Sequence, residues 1–182
     1  MIGSFAFQRQ PVKVTKSKAT SHHTGTRKLE TTLLKHDLEV ITFEPQHTQE
    51  VVCLWRDSMQ AAIGIPPVHT FESQAFFLNH ILPETHNIYV VINNETRQPV
   101  AFVAINDSEV NQLYVHRDYQ SMGLGSQLLV MAKQQSSGRL SLRTFENNIR
   151  AQQFYEHHGF VAIGGDAENE EGLPDILYEW RR

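Results

Sequence analysis

Residues 120–126, QSMGLGS, set two glycines where one periodicity gives way to another. Upstream, in EVNQLYVHRDY (109–119), Val110, Gln112 and Tyr114 alternate with Asn111, Leu113 and Val115 as strand residues do. Downstream, Leu128, Leu129 and Ala132 recur at helical spacing. Such a junction can bind an anion. The first N–H groups of a helix lack intrahelical partners and carry the positive end of its dipole. Glycine lets a phosphate approach them without meeting a Cβ. The same two glycines could also do no more than shape a turn. A P-loop is excluded, since no Gly-Lys-Ser/Thr follows, and a dinucleotide fingerprint would need a third glycine and a later ribose-binding acid.

The elements around this junction read clearly from residue 38 onward. LEVITFE predicts a strand with Leu38, Val40 and Thr42 on one face. Pro45 can open a helix that runs to a C′ glycine, Gly64, with Val51, Leu54, Trp55 and Met59 as its apolar stripe. Thr70 caps a second helix that ends near Pro83. NIYVVIN and PVAFVAIND form a hairpin across NETRQ, and the strand at 109–116 follows. After the glycine helix come the strand RLSLRTF (139–145), the helix NIRAQQFYEHH stopped by Gly159, the strand FVAIG, an acidic turn GDAENEEGLPD and a last strand ILYEW. The order βααβββαβαββ is α/β with a mixed sheet, antiparallel in its hairpins and parallel across its helical crossovers.

Composition narrows the function classes. No apolar run reaches the length of a membrane span. The single cysteine, Cys53, precludes an internal disulfide or a cysteine-based zinc site and fits a reducing compartment, the cytoplasm. Cys53 reads as a core residue of the first helix rather than a nucleophile, and the ten histidines, without metal-ligand spacing, read as surface residues. The net charge of −4 is unevenly spread. Residues 1–37 hold seven Lys/Arg against two acids, a local +5, whereas 38–182 hold nine basic against 18 acidic groups. The basic leader is polar and aperiodic, so it reads as a disordered tail outside the folded domain, with a transit-type peptide as the alternative. The acidic domain argues against nucleic-acid binding.

A second stretch, ENNIRAQQFYEHHGF, joins the first. Together they resemble the GNAT superfamily of N-acetyltransferases, which carry Gln/Arg-x-x-Gly-x-Gly/Ala after the fourth strand and Asn-x-x-Ala…Phe-Tyr-x-x-x-Gly-Phe after the fifth. Gln120, Gly123 and Gly125 fill the first pattern; Asn148, Ala151, Phe154, Tyr155, Gly159 and Phe160 fill the second. The resemblance covers roughly 38–182. It implies a mixed, mostly antiparallel central sheet of six to seven strands, flanked by about four helices and splayed between the fourth and fifth strands.

The resemblance further implies that acetyl-CoA is the co-substrate, with no metal. Its pyrophosphate would lie on backbone N–H groups of Gln120, Ser121, Met122, Gly123, Leu124, Gly125 and Ser126. Its pantetheine would run along Leu113, Tyr114 and Val115, where one N–H would polarise the thioester carbonyl. Asn148 would bond to the pantetheine or shape the gap, and can serve as a helix N-cap at the same time. Tyr155 occupies the position of the family's general acid, and Glu109 that of a carboxylate base, with His116 as the alternative. The acceptor, an amine, would enter between GIPPVHTF and the acidic turn, where Asp166, Glu168, Glu170, Glu171 and Asp175 could steer a cation or merely keep the hairpin solvated. Polyamine, amino acid, aminoglycoside, and protein N-terminus or lysine all remain open as acceptors. The resemblance fits a monomer or a homodimer. The alternative function is a non-catalytic acyl-CoA-binding sensor.

Overall fold

A computed structural model describes residues 37–182. The leader expectation for 1–37 therefore lies almost wholly outside the described residues. The fold begins with β1 (Leu38–Thr42), a 3-10 turn at Pro45–His47 and α1 (Thr48–Ile63). Val51, Val52, Leu54, Trp55 and Met59 of α1 are buried, and Gly64 ends the helix in the left-handed region at φ 79°. Cys53 corrects one expectation: it is exposed. At helical spacing it shares the outer face with Asp57 and Gln60, which are exposed as well.

Thr70 Oγ1 accepts from Ser73 N at 3.2 Å and caps α2 (Phe71–Phe76). The chain continues through a π-helical turn, Phe77–Ile81, and a 3-10 turn, Leu82–Glu84, in which Pro83 ends the run. Then come β2 (Asn87–Asn93), β3 (Pro99–Ile105), β4 (Val110–Val115), α3 (Leu124–Gln135), β5 (Arg139–Phe145), α4 (Ile149–His157), β6 (Val161–Gly164) and β7 (Asp175–Arg181).

Among the described residues seven strands form two antiparallel groups, β1-β2-β3-β4 and β5-β7-β6. Every ladder is antiparallel, so the expected parallel crossovers are nearly absent as pairings. The reason lies in the second crossover: β7 inserts between β5 and β6 and takes both of their inner edges. Where β4 meets β5, a lone parallel bridge pairs Glu109 with Ser141, supported by Ser141 N donating to Ser108 O at 2.8 Å. Beyond that bridge no ladder joins the two strands, and the sheet splays between its fourth and fifth strands as expected.

The sheet is covered on both sides. Strand residues alternate between two clusters: Val103, Leu113 and Val115 pack with α3 and α4 through Leu124, Leu128, Leu129, Ala151 and Tyr155. Phe102, Ala104 and Tyr114 pack with α1 through Trp55 and with the π-helical turn after α2 through Phe77 and Leu78. Trp55 lies 6.1 Å from Phe102 and 6.3 Å from Tyr114, centroid to centroid, and Phe102 stacks on Tyr114 at 5.5 Å. Contacts of this kind are worth about 0.5–1.5 kcal/mol each beyond area burial, enough to fix the roll of β4.

Candidate active site

β4 presents a backbone edge to the splay. His116 N donates to Val100 O at 2.8 Å, which makes that facing pair a hydrogen-bonded one. By the alternation of an antiparallel ladder, Tyr114 and Gln112 also bond towards β3, while the N–H and C=O groups of Leu113 and Val115 turn outward. The Val115 carbonyl accepts from Gln120 Nε2 at 2.9 Å, as that orientation requires. A bulge at Asn111, skipped between the pairs Ala104–Gln112 and Ile105–Val110, kinks the strand beside the opening.

The outward edge leads to the glycine junction. A 3-10 turn, Arg117–Tyr119, carries the chain to Gln120, and Ser121 (φ 62°) and Gly123 (φ 85°) both take the left-handed region. These residues shape a tight turn, and they also expose a helix end. The first intrahelical bond is Gln127 N to Gly123 O at 3.0 Å, and among the described residues no side chain caps the helix. The N–H groups of Leu124, Gly125 and Ser126 therefore have no intrahelical acceptor. A cleft of about 300 Å³ opens there, lined by Val115, Gln120, Ser121, Gly123, Gly125 and Ser126 with Tyr119, Leu124, Arg150 and Phe154. Met122 is 58% exposed and does not line it.

Arg150 was not foreseen. Its guanidinium donates to Gln120 Oε1 at 3.2 Å and to Ser121 Oγ at 3.1 Å, which sets a fixed positive charge across the mouth of the cleft. The sequence signal was Asn148: an N-cap there places Arg150 in the first turn of α4. Asn148 does cap, its Oδ1 accepting from Ala151 N at 3.2 Å.

Tyr155 is fully buried on α4 among Phe154, Phe160 and Tyr178. Its hydroxyl has no hydrogen-bond partner among the described residues. Burial pushes its ionisation well above the usual tyrosine range, and the nearby Tyr114 adds to the shift. Gln112 Oε1 on β4 and Thr144 Oγ1 on β5 are likewise buried and unpartnered. Orphaned polar atoms of this kind call for an explanation, and here they sit on the elements that border the splay.

Glu109 lies at the joined end of the seam, its side chain 36% exposed and its Oε2 3.4 Å from His86 Nε2. His86 corrects the surface reading of the histidines: only 6% of its side chain is exposed, and Asn106 Nδ2 lies 3.1 Å from the same nitrogen. His116 sits at the other end of β4, where Nδ1 accepts from Asp118 N at 3.3 Å. The two candidate bases are therefore not brought together.

The acidic turn is built rather than freely solvated. Arg143 pairs with Asp175 at 2.5 Å and Asp166 at 3.4 Å, Asn169 Nδ2 donates to Leu173 O at 2.7 Å, and Glu170 pairs with His69 of the α1–α2 loop. Among the described residues no group of three His, Cys, Asp or Glu is placed to hold a metal ion, and no helix is long and apolar enough to cross a membrane.

Residues 84–162 match the family model of the acetyltransferase (GNAT) domain. Over 132 residues the chain is 25% identical to the peptidyl-lysine N-acetyltransferase YjaB of Salmonella typhimurium, an alignment that spans 69% of this chain and 85% of that protein. The solution structure of apo YjaB from Escherichia coli superposes with a TM-score of 0.64 at 22% identity, over 79% of this chain and 97% of that one. The PaiA N-acetyltransferase of Thermoplasma acidophilum, solved in complex with coenzyme A, superposes with a TM-score of 0.63 at 18% identity, over 80% of this chain and 99% of that one.

Proposed function

Since the chain belongs to the GNAT superfamily of acetyl-CoA-dependent N-acetyltransferases, we propose that it transfers the acetyl group to a primary amine by direct attack, without an acyl-enzyme. The observation that carries this reading is one continuous surface. The outward edge of Leu113 and Val115 runs into the uncapped end of α3 beneath Arg150. The residues fit acetyl-CoA chemically. N–H groups of Leu124, Gly125 and Ser126 and the Arg150 guanidinium suit a pyrophosphate. The open edge of β4 suits the amide groups of a pantetheine arm, which would add to the sheet like a short strand.

Three tasks remain for the chain. An outward N–H of Leu113 or Val115 donates to the thioester oxygen and holds the charge that grows there on attack. Tyr155, kept protonated by burial, gives its proton to the departing thiolate. Asn148 caps α4 and so sets where Tyr155 stands, seven residues on. Glu109, beside His86, is an amine-deprotonating group that water can reach. The likeness to YjaB supports a lysine side chain as acceptor. The exposed thiol of Cys53 fits the reducing cytoplasm.

The test follows free thiol released from acetyl-CoA over a panel of lysine-bearing peptides, polyamines and amino acids. Acceptor-dependent release, with the acetylated amine identified by mass, is the expected result. Tight CoA binding with no release on any amine would favour the non-catalytic sensor instead.

A further inference from the structure

At the start of α3 one hydroxyl hydrogen has two claimants. Ser126 lines the cleft there, and its Oγ lies 3.0 Å from Nε2 of His158, the half-buried residue that ends α4. The other nitrogen of that ring is already committed: Nδ1 lies 2.7 Å from the Phe154 carbonyl oxygen. A carbonyl can only accept, so Nδ1 carries a hydrogen and donates it. In a neutral imidazole the second nitrogen is then bare and accepts. Ser126 therefore gives its hydroxyl hydrogen to His158. What its Oγ turns towards the cleft is lone pairs, the wrong sign for a phosphate.

The ring is held firmly in this position. His158 N donates to the Phe154 and Tyr155 carbonyls, and its ring lies 4.3 Å, centroid to centroid, from that of Phe154, which also lines the cleft. Lys133 of α3 donates to the His158 carbonyl, with its ammonium 4.8 Å from the Trp180 ring and 5.3 Å from that of Phe160. The other titratable groups at this corner are His157, 5.4 Å away ring to ring, and Arg150 on the same cleft; Glu156 is occupied by the Tyr178 hydroxyl of β7. Lys133 and Arg150 are cationic, so an anion that fills the cleft tips the balance towards a charged ring. The carbonyl end of α4, on which the ring sits, accommodates that charge.

We propose that His158 is a positioning residue of the acetyl-CoA site, which takes up a proton as the diphosphate binds and thereby turns the Ser126 hydroxyl towards it. This rests on the acetyl-CoA reading and adds to it a link between cofactor binding and pH. A proton from the buffer adds to Nε2. Both ring nitrogens then donate, Nδ1 to Phe154 O and Nε2 to Ser126 Oγ. The hydroxyl, now accepting from the ring, is free to give its own hydrogen to a phosphate oxygen. The diphosphate gains one hydrogen bond with a positive charge behind it, in addition to Arg150.

Calorimetric titration of the full chain with CoA, in two buffers of different ionisation enthalpy, counts the protons exchanged. The 3′-phosphate of CoA itself titrates near neutrality, so the informative quantity is the difference between wild type and His158→Gln, in which the ligand's share cancels. Glutamine offers an amide N–H in place of Nε2 and does not titrate. At about pH 7 the wild type should take up more of a proton than His158→Gln, and Ser126→Ala, which keeps the ring but breaks the relay, should lose most of that excess. A complex that binds more protons than its separate parts weakens as pH rises, so the ratio of wild-type to His158→Gln affinity should fall about tenfold from about pH 6 to about pH 8. In protein labelled with 15N-histidine, the resonances lost in His158→Gln should show a bare Nε2 at about pH 8 without CoA, and their midpoint should rise by about one unit or more once CoA is added. A midpoint that ignores CoA, or equal proton counts in the wild type and both variants, overturns the proposal and leaves the acetyl-CoA reading standing. A wild type that binds no CoA overturns both.

Discussion

Tyr155 offers an unusually clean separation of chemistry from stability, because its hydroxyl is buried without a partner among the described residues. Tyr155→Phe removes a proton donor and no hydrogen bond. Turnover should fall by about 10²–10⁴-fold in single-turnover assays, with CoA affinity nearly unchanged. The melting temperature should stay level or rise, because an unsatisfied buried hydroxyl costs stability rather than supplying it. Equal single-turnover rates would end the case for Tyr155 as the acid. Glu171 gives the opposite kind of signal. Its folded-state pKa is raised to about 7 from 4.5, so the folded protein binds its proton more tightly than the unfolded chain does. The stability from that proton is present below pH 4.5 and is lost as pH rises towards 7. Glu171→Gln should therefore melt higher than wild type at about pH 8 and show little gain at about pH 5. A pH-independent difference would show that the carboxyl does not titrate in the fold.

At the level of single elements, the start of α3 is where local sequence and long-range structure meet. The turn itself was legible, because glycine spacing and a change of period are properties of neighbouring residues. Arg150 was not, since it reaches Gln120 across a separation of 30 residues. The same distinction explains β7, whose insertion between β5 and β6 no local pattern announces. Cys53 is a different case: its neighbours are buried, but helical spacing sets it on the outer face with Asp57 and Gln60, a local pattern that the sequence carries. Arg150→Ala should weaken CoA binding by about 10–100-fold, the worth of a charge-assisted hydrogen bond or two, and leave the melting temperature unchanged because the side chain is exposed. Calorimetric titration beside a thermal melt checks both. Gly123 sits at φ 85°, and a Cβ there would meet only Gln127 Nε2 at 3.9 Å. Gly123→Ala should thus cost about 1–2 kcal/mol in urea unfolding through backbone strain, not through a clash.

On the scale of the whole molecule, the fold is accounted for from Leu38 onward, and the family match lies inside that span. Removing residues 1–36 should leave melting within a few degrees of the full chain and CoA affinity unchanged. A large drop in either would show that this basic segment contributes to the domain or to a partner subunit. The seam between β4 and β5 has a further consequence. A sheet parted along one line is a wall with a window in it. The cleft at the start of α3 opens on the side of α3 and α4, while the His69–Glu170 pair spans the side of α1 and α2. Were acetyl-CoA and the amine to enter from these two faces, as the proposed function has it, they would not compete for a doorway. Under the proposed function, CoA would be exchanged at one face while the acceptor is held at the other, and the bulk of the acceptor would not be limited by the volume of the cleft.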